Sequence, residues 1–311
     1  MATPDLSVVI PVYNEEANIE PLYRRLKPVL EGLGEHEILF IDDGSTDSTF
    51  PQIRELHRRD GRVRCLRMRR NFGQTPALLA GFQAAQGEVV VTMDGDLQND
   101  PEDIPRLLEH LDGRDVVSGW RHRRRDTVGK RLASRFSNWL ARRLTGLEVH
   151  DFGCTLKAYR KECLEGLELY GEMHRYIPAV LAWQGFRVGE VPVHHHQRQR
   201  GRTKYGPGRL LRGFFDLVNF KFWAGYSTRP LHFFGGVGLA LLGAGFVIGL
   251  YLVLLKLLYG EELSDRPLLL LGVLLMVVGL QVFIFGFLAE IMIRSYYAGR
   301  PPSYSIRERL E

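Results

Sequence analysis

Residues 88–98 read Glu-Val-Val-Val-Thr-Met-Asp-Gly-Asp-Leu-Gln, an apolar run followed by two acidic residues. Glu88–Met93 is typical of a buried β-strand, because it is a short apolar, β-branched run that ends at turn residues. Asp94 and Asp96 follow at once. Such pairs also occur on solvated turns, but at a strand end they can share a hard cation whose other ligands are phosphate oxygens. The stretch therefore predicts metal-assisted diphosphate chemistry at the end of a strand.

The chain before this motif alternates strand and helix patterns. The predicted strands are Leu6–Ile10, Glu37–Ile41 and Val63–Met68, and the predicted helices are Glu15–Glu31, Thr49–Arg59 and Thr75–Gln86. Apolar strands separated by helices of this length indicate βαβ units and a parallel sheet. Because ligands bind at the carboxyl ends of such strands, the acidic residues there are candidate site residues.

Two further motifs follow the first two predicted strands. Ile41–Asp47 reads Ile-Asp-Asp-Gly-Ser-Thr-Asp, in which Asp43 can accept hydrogen bonds from a base or a ribose while Asp47 caps the next helix. Pro11–Glu16 reads Pro-Val-Tyr-Asn-Glu-Glu. Its Tyr13 either packs against a nucleotide base or belongs to the core.

Charge and cysteine content restrict the functional class. The 311 residues carry a net charge of +5, concentrated in basic segments at 121–143 and 198–212, which suit phosphate-rich partners. Three scattered cysteines without a CxxC pair favour a reducing compartment. The N-terminus enters a strand pattern without a signal sequence, so we expect the first two hundred residues to be cytoplasmic.

The C-terminal third contains two long apolar runs, Leu231–Leu255 and Pro267–Ala289. Each exceeds the ~20 residues that a helix needs to cross the hydrocarbon core. Two buried helices of a soluble core are the alternative, but the short polar connection favours a transmembrane hairpin. Arg209–Gly225 mixes basic and aromatic residues and predicts an amphipathic helix on the membrane surface.

Flanking charges predict the orientation of this hairpin. The connecting loop Tyr259–Arg266 is mainly acidic, whereas the other ends carry Lys221, Arg229, Arg294, Arg300, Arg307 and Arg309. The positive-inside rule then places both termini in the cytoplasm. The expected organisation is a catalytic domain at 1–208, an interfacial helix at 209–228, a hairpin at 229–294 with spans near 231–255 and 267–290, and a cytoplasmic tail at 295–311.

The motifs together resemble the family 2 glycosyltransferases with the GT-A fold, and more closely the dolichyl-phosphate mannose synthases and bacterial undecaprenyl-phosphate glycosyltransferases. PVYNEE, DDGSTD, RNFG, MDGDLQ and RQRGRTKY occur in the order of that family, up to Tyr205, and the hairpin matches the bacterial members. The resemblance implies an α/β domain with a mixed, mostly parallel sheet flanked by helices. It also implies a multi-pass enzyme of the inner (plasma) membrane.

The implied reaction is inverting transfer from a UDP- or GDP-sugar to a polyprenyl phosphate, with Mg²⁺ or Mn²⁺. By resemblance, the donor-binding residues are Pro11, Tyr13, Glu15, Asp43, Asn71 and Asp94. The metal ligands are Asp94, Asp96 and Gln98, and these three with Arg121 and Asp151 form the catalytic set. The acceptor and phosphate-binding residues are Arg121, Arg198, Lys204 and Tyr205.

Two stretches depart from simple expectation. Cys154–Lys157 replaces the Asp or Ser followed by Phe-Arg of many relatives, so the identity of a general base stays open, although Asp151 keeps the leading carboxylate. We interpret Cys154 as a small packed residue rather than a nucleophile. The run His194–His196 predicts a polar strand end, since strand alternation separates adjacent side chains and gives poor chelation geometry.

Rival functions have weaker support. A processive polysaccharide synthase normally has more membrane helices and a Gln-x-x-Arg-Trp motif, and Gln184–Val188 lacks the Trp. A membrane scaffold with a degenerate transferase domain is opposed by the intact Asp-x-Asp motif, and nucleic-acid binding by the two spans. The predicted partners are a nucleotide-sugar, a polyprenyl phosphate and the bilayer, without nucleic acid, and homo-oligomers are compatible with the sequence.

Overall fold

The computed structural model describes residues 4–122, 138–169, 171–196, 222, 229–260, 262 and 266–297. The chain divides into two units, Met1–Phe220 and Lys221–Glu311. The predicted interfacial helix at 209–228 and the tail after residue 297 lie outside the described residues, apart from Phe222. Each unit is described by itself.

The first unit contains a seven-stranded sheet in the order β3-β2-β1-β4-β6-β5-β7. The strands are β1 (Leu6–Val12), β2 (His36–Asp42), β3 (Val63–Arg67), β4 (Val89–Thr92), β5 (Val116–Trp120), β6 (Lys157–Arg160) and β7 (Val188–Pro192). Within this sheet only β6 runs antiparallel to its neighbours. The predicted mixed, mostly parallel sheet is therefore confirmed.

The register of the central strands aligns the sequence motifs. Val12 at the end of β1 pairs with Asp42 at the end of β2, and Val9 pairs with Thr92 at the end of β4. All three strands point the same way. PVYNEE, DDGSTD and MDGDLQ consequently emerge at one edge of the sheet, as the parallel arrangement predicts.

Helices cover both faces of this sheet. They are α1 (Ile19–Glu31), α2 (Thr49–Arg59), α3 (Gln74–Ala84), α4 (Ile104–Glu109) and α5 (Ile177–Trp183). Val8 and Ile10 share a buried core with Leu22 and Leu26 of α1. Val9 points to the opposite face, where its side chain meets Gly81 of α3.

The predicted first helix begins later than the sequence indicates. Residue 15 was expected to start it, but α1 starts at Ile19. Asn14 adopts a left-handed backbone with a φ of 49°, and the Glu15 N–H donates to Thr49 Oγ1 at 2.9 Å instead of entering a helix. Residues 14–18 therefore form a turn that joins the first motif to α2.

The second unit consists of α6 (Pro230–Tyr259) and α7 (Pro267–Tyr297). Both helices are long and apolar enough to cross a membrane, by length and composition. Glycines let them pack closely, since a Cβ on Gly245 would lie 2.6 Å from Gly272 O and one on Gly238 would lie 2.7 Å from Gly279 O. Close contact through small residues is typical of helix pairs in lipid.

Gly81→Val should destabilise the first unit. A Cβ at position 81 would lie 2.3 Å from Val9 Cγ1, inside a core without free space. Overpacking of this kind costs about 1–3 kcal/mol, so we expect the urea midpoint of the catalytic domain to fall accordingly. Gly61→Ala is the matched control, because no atom lies within 4 Å of its Cβ position. Equal midpoints for the two variants would contradict the steric argument.

Candidate functional site

The Asp-x-Asp motif follows β4 in a tight turn. A Cβ on Gly95 would lie 2.6 Å from Val12 Cγ1, so only glycine fits between the two carboxylates. Leu97 has a left-handed φ of 64°, and the Gln98 N–H donates to Asp96 Oδ1 at 3.1 Å. The side-chain amide of Gln74, at the start of α3, donates to Asp94 Oδ1 at 2.9 Å.

Burial and nearby cations act on Asp94 in opposite directions. Desolvation raises the pKa of this carboxyl, while a hydrogen bond from Thr155 and the charges of Arg121 and Lys157 lower it, with a net rise. A bound cation would offset the same desolvation. No group of three or more acidic, His or Cys side chains forms a metal site among the described residues. Two carboxylates with diphosphate and water oxygens are a donor set that suits Mg²⁺, so the residues fit the predicted cation.

The first two motifs interlock at the edge of the sheet. Asn14 Oδ1 accepts the Thr46 N–H at 2.8 Å, and the Asn14 N–H donates to Ser45 Oγ at 2.9 Å. Asp47 Oδ1 accepts the Thr49 N–H at 3.0 Å, but the N-cap residue of α2 is Ser48 rather than the expected Asp47. These contacts hold both loops in one position beside the Asp-x-Asp turn.

Asp43 organises the loop that precedes α3. Its buried carboxylate accepts the N–H groups of Phe72 and Gly73 at 2.7 and 2.9 Å, and desolvation raises its pKa despite them. Gly44, with a φ of 73°, lies directly against the backbone of 70–71. The predicted donor residues Asp43 and Asn71 are thus close together, and Asn71 is exposed.

The other predicted donor residues lie on the same edge. Pro11 and Tyr13 are partly exposed there. Glu15 is buried instead, and its Oε2 accepts the Asn18 side-chain amide at 2.6 Å. This carboxylate therefore stabilises the turn before α1. Its predicted role in donor binding stays a prediction.

Arg121 and Asp151 form a bidentate ion pair in which Asp151 is buried and Arg121 is partly buried. Arg121 Nε and Nη2 donate to the two carboxylate oxygens at 2.6 and 2.9 Å. The Gly153 N–H also donates to Asp151 Oδ1, at 3.1 Å. The structure thus brings together two residues of the predicted catalytic set. Two N–H groups of the Arg121 guanidinium are already bound to a carboxylate of the protein.

The sequence did not assign Lys157 to the site. This residue of β6 is 2% exposed, and its ammonium donates to the backbone carbonyls of Phe152 and Cys154. Desolvation lowers its pKa to about 8. The same burial raises the pKa of the Cys154 thiol to about 11, which fits the interpretation of Cys154 as a packed residue. Lys157 is at the site because β6 pairs antiparallel with β4, which places Lys157 opposite Thr92. The sequence alone does not reveal this pairing.

The histidine run pairs with acidic residues beyond the Asp-x-Asp turn. His194 Nδ1 lies 2.9 Å from Asp103 Oδ1, and His196 Nε2 lies 2.6 Å from Asp100 Oδ2. Gln98 Nε2 donates to the His196 carbonyl at 3.3 Å. His194 and His196, two residues apart, thus each contact a carboxylate, as expected for a polar segment that follows a strand. The same segment contacts Gln98.

His174 is a second group that sequence reasoning missed. Its Nδ1 lies 2.8 Å from the hydroxyl of Thr75, which donates to Gly171 O at 2.6 Å. Thr75 follows Gln74, the residue bound to Asp94. Sequence offered no signal for this contact, since it joins residues about a hundred positions apart. Arg198, Lys204 and Tyr205, predicted to bind phosphate, lie outside the described residues.

The comparisons with known proteins agree with this geometry. Residues 7–167 match the family described as "Glycosyl transferase family 2". The chain belongs to this family. The match contains β1 to β6 and both carboxylates of the Asp-x-Asp turn, and it confirms the resemblance inferred from the motifs.

Relatives match nearly the whole length of this family 2 chain. It is 41% identical to dodecaprenyl-phosphate galacturonate synthase of Rhizobium johnstonii, over 98% of this chain and 92% of that protein. It is 40% identical to undecaprenyl-phosphate 4-deoxy-4-formamido-L-arabinose transferase of Pseudomonas paraeruginosa, over 94% of this chain and 86% of that protein.

A solved structure confirms the predicted GT-A fold. Glucosyl-3-phosphoglycerate synthase of Mycobacterium tuberculosis, in complex with Mn²⁺, UDP-glucose and glycerol 3-phosphate, superposes with a TM-score of 0.55. The two are 22% identical, and the match covers 70% of this chain and 80% of that one. The same enzyme is also known with Mg²⁺ and UDP.

His174 should make the stability of the catalytic domain depend on pH. Desolvation lowers its pKa from 6.5 to about 3, so between these values the unfolded chain binds a proton that the folded chain does not. Stability is therefore lost as the pH falls from 6.5 towards 3, by ~2 kcal/mol at pH 5. In urea titrations at pH 7.5 and 5, His174→Asn should show a smaller loss than wild type. The exposed His122→Asn should keep the wild-type loss, and an unchanged loss in His174→Asn would contradict the assignment.

Proposed function

We propose that this chain is an inverting glycosyltransferase that moves a sugar from a UDP- or GDP-sugar to a polyprenyl phosphate, with undecaprenyl phosphate as the expected carrier. The observation that carries the proposal is the near full-length similarity to two enzymes named for polyprenyl-phosphate substrates, which includes the apolar C-terminal helices. The intact Asp-x-Asp turn supports an active enzyme rather than a scaffold.

Each part of the site has a task in this reaction. Loops 11–16, 43–47 and 70–73 would surround the nucleotide, while Asp94 and Asp96, with Gln98, would hold the divalent cation. When bound, Mg²⁺ or Mn²⁺ supplies positive charge that stabilises the departing nucleotide diphosphate. The charge of Arg121 lowers the pKa of Asp94, and its guanidinium is held in place by the ion pair with Asp151. Alignment and charge compensation are therefore the main catalytic contributions of the protein.

The chemistry is a single displacement at the anomeric carbon. A phosphate oxygen of the carrier forms the new bond while the bond from carbon to the diphosphate oxygen breaks, and its electron pair leaves with the nucleotide. A phosphate monoester has a second pKa of ~6, so it is largely dianionic at neutral pH. No proton has to be removed from this nucleophile.

The two apolar helices support a membrane location. We propose a multi-pass protein of the inner membrane whose catalytic unit, both termini and segment 209–228 lie on the cytoplasmic side. Arg198, Lys204 and Tyr205 are proposed to contact the donor or carrier phosphates when substrates bind, because their segment is basic and is flanked by Gly201 and Gly206.

The direct test is product formation. Purified protein in detergent, with Mn²⁺ and undecaprenyl phosphate, is given a panel of UDP- and GDP-sugars, and lipid products are identified by mass. A product with one hexose or pentose on the lipid phosphate is expected for at least one donor. Transfer to hydroxyl acceptors in place of the lipid phosphate would contradict the proposal.

Asp96→Asn should abolish turnover without unfolding the domain. Removing one carboxylate weakens the hold on the cation and the leaving diphosphate, and a loss of about 100-fold or more in kcat is expected. Asp112→Asn, at an exposed position, should keep wild-type rates. Both variants are assayed with the active donor over a range of Mn²⁺ concentrations, and full turnover by the Asp96 variant would refute the metal assignment.

Reporter fusions should show the hairpin topology. A reporter after Glu311 is expected on the cytoplasmic side, and one inserted within 259–266 on the opposite side, because the positive charges flank the outer ends of the two helices. Each position is tested with two reporters that are active on opposite sides of the membrane, such as an alkaline phosphatase and a fluorescent protein. The same side for both positions would rule out the hairpin.

A further inference from the structure

Arg175 carries two buried nitrogens without an acceptor. Its Nε and Nη2 are shielded from solvent, and neither has a hydrogen-bond partner in the part of the chain that the structure describes. Its ion pair is with Glu172, whose Oε2 lies 3.5 Å from Nε without forming a hydrogen bond. Leaving such donors unpaired is costly, so native proteins rarely do it. An acceptor supplied by a ligand would remove this cost.

The position of Arg175 connects it with the Asp-x-Asp turn. It ends the short 3₁₀ turn Met173–Arg175, in which His174 contacts the Thr75 hydroxyl at 2.8 Å. Gln74, the neighbour of Thr75, donates to Asp94 Oδ1 at 2.9 Å. Two side-chain contacts therefore separate the Arg175 segment from a carboxylate of the metal site.

The charges around this segment are unequally compensated. Arg121 is neutralised by Asp151 through two hydrogen bonds, and the Lys157 ammonium is bound by two backbone carbonyls. Besides burial, the charges of Arg175 and Lys157 both lower the pKa of His174. Among these cations, Arg175 is the one whose buried N–H groups still need acceptors.

We propose that Arg175 binds the phosphate monoester of the acceptor and holds it for attack on the sugar. The inference rests on the proposed function, which requires a dianionic phosphate beside the metal-bound diphosphate. A guanidinium can donate two parallel hydrogen bonds to two phosphate oxygens, and such charge-assisted bonds are the strong ones. The divalent cation would serve the donor diphosphate, and Arg121 is already paired with Asp151, so the N–H groups of Arg175 that are unpaired among the described residues are available for the acceptor phosphate.

Glu172 provides a matched control. Its carboxylate lies beside the Arg175 guanidinium and repels an incoming dianion, so Glu172→Gln should bind the acceptor as well as wild type or better. If the two residues form only a structural ion pair, neutralising either one should have the same effect. Opposite effects of Glu172→Gln and Arg175→Met are thus expected from ligand binding and not from a structural role.

The kinetic test uses the full chain in detergent with its active nucleotide-sugar and undecaprenyl phosphate. Arg175→Met should lower kcat/KM for undecaprenyl phosphate by ~10–100-fold, the equivalent of a lost charge-assisted hydrogen bond. The KM for the nucleotide-sugar should stay within about twofold, since the loss concerns the acceptor. The kcat/KM of Arg175→Lys for undecaprenyl phosphate should lie between the values of wild type and Arg175→Met. Equal losses for donor and acceptor, or no loss, would overturn the proposal.

A binding test separates this inference from the reaction itself. Undecaprenyl phosphate and the phosphate-free alcohol undecaprenol are titrated into wild type and variants in the presence of Mn²⁺ and UDP, which cannot react. Wild type should bind the phosphate and discriminate against the alcohol, and Arg175→Met should lose that discrimination. Retained discrimination in the variant would refute the role of Arg175, even if sugar transfer to the lipid phosphate is observed. Conversely, loss of discrimination supports it even if the transfer assay fails. Thermal unfolding of each variant controls for folding, with Arg175→Lys as the substitute if Arg175→Met does not fold.

Discussion

The parallel register of β1, β2 and β4 is the constraint on which the rest of the site depends. Val12 aligns with Asp42 and Val9 with Thr92, so three loops that are far apart in the sequence leave the sheet side by side. The alignment leaves so little room that position 95 has to be glycine. Asp94 and Asp96 flank that glycine, so the backbone geometry of the turn sets the separation of their carboxylates.

The desolvation of the Asp94 carboxylate requires compensation from elsewhere in the fold. An isolated buried charge is costly, and proteins pair or coordinate it. β6 provides this compensation, because it enters the sheet antiparallel between β4 and β5 and brings Thr155 and Lys157 close to Asp94. The loop before β6 adds Asp151, which fixes Arg121 at the end of β5. The strand that breaks the parallel pattern is thus the one that makes the charged site possible.

The sequence predicted the local elements of this architecture but not its long-range contacts. Periodicity located the helix Thr49–Arg59 at the bounds that α2 has, because a strong amphipathic pattern and the local contact of Asp47 with the Thr49 N–H specify it. The start of α1 was misplaced, since the left-handed turn at Asn14 is stabilised by Ser45 and Thr46 from another loop. The Asp-x-Asp pair and Arg121 were found from motifs, whereas Lys157, His174 and Arg175 depend on how distant segments pack. A buried lysine in a strand has no sequence signature of its own, because the same residue in an edge strand would be solvated.

The state of Asp151 bears on which acceptor the site suits. A general base needs a free lone pair directed at the proton that it removes. Both oxygens of Asp151 accept hydrogen bonds from Arg121, and Oδ1 also accepts the Gly153 N–H, so protonation would compete with a bidentate ion pair. Cys154 is no better as a base or nucleophile, since desolvation keeps its thiol protonated at neutral pH. A hydroxyl acceptor would have to be deprotonated at this place, whereas a phosphate monoester arrives ionised. The residues around Asp94 therefore suit an acceptor that arrives ionised better than an acceptor that must lose a proton. An ionised acceptor needs hydrogen-bond donors, and the two buried nitrogens of Arg175 that lack an acceptor among the described residues can supply them.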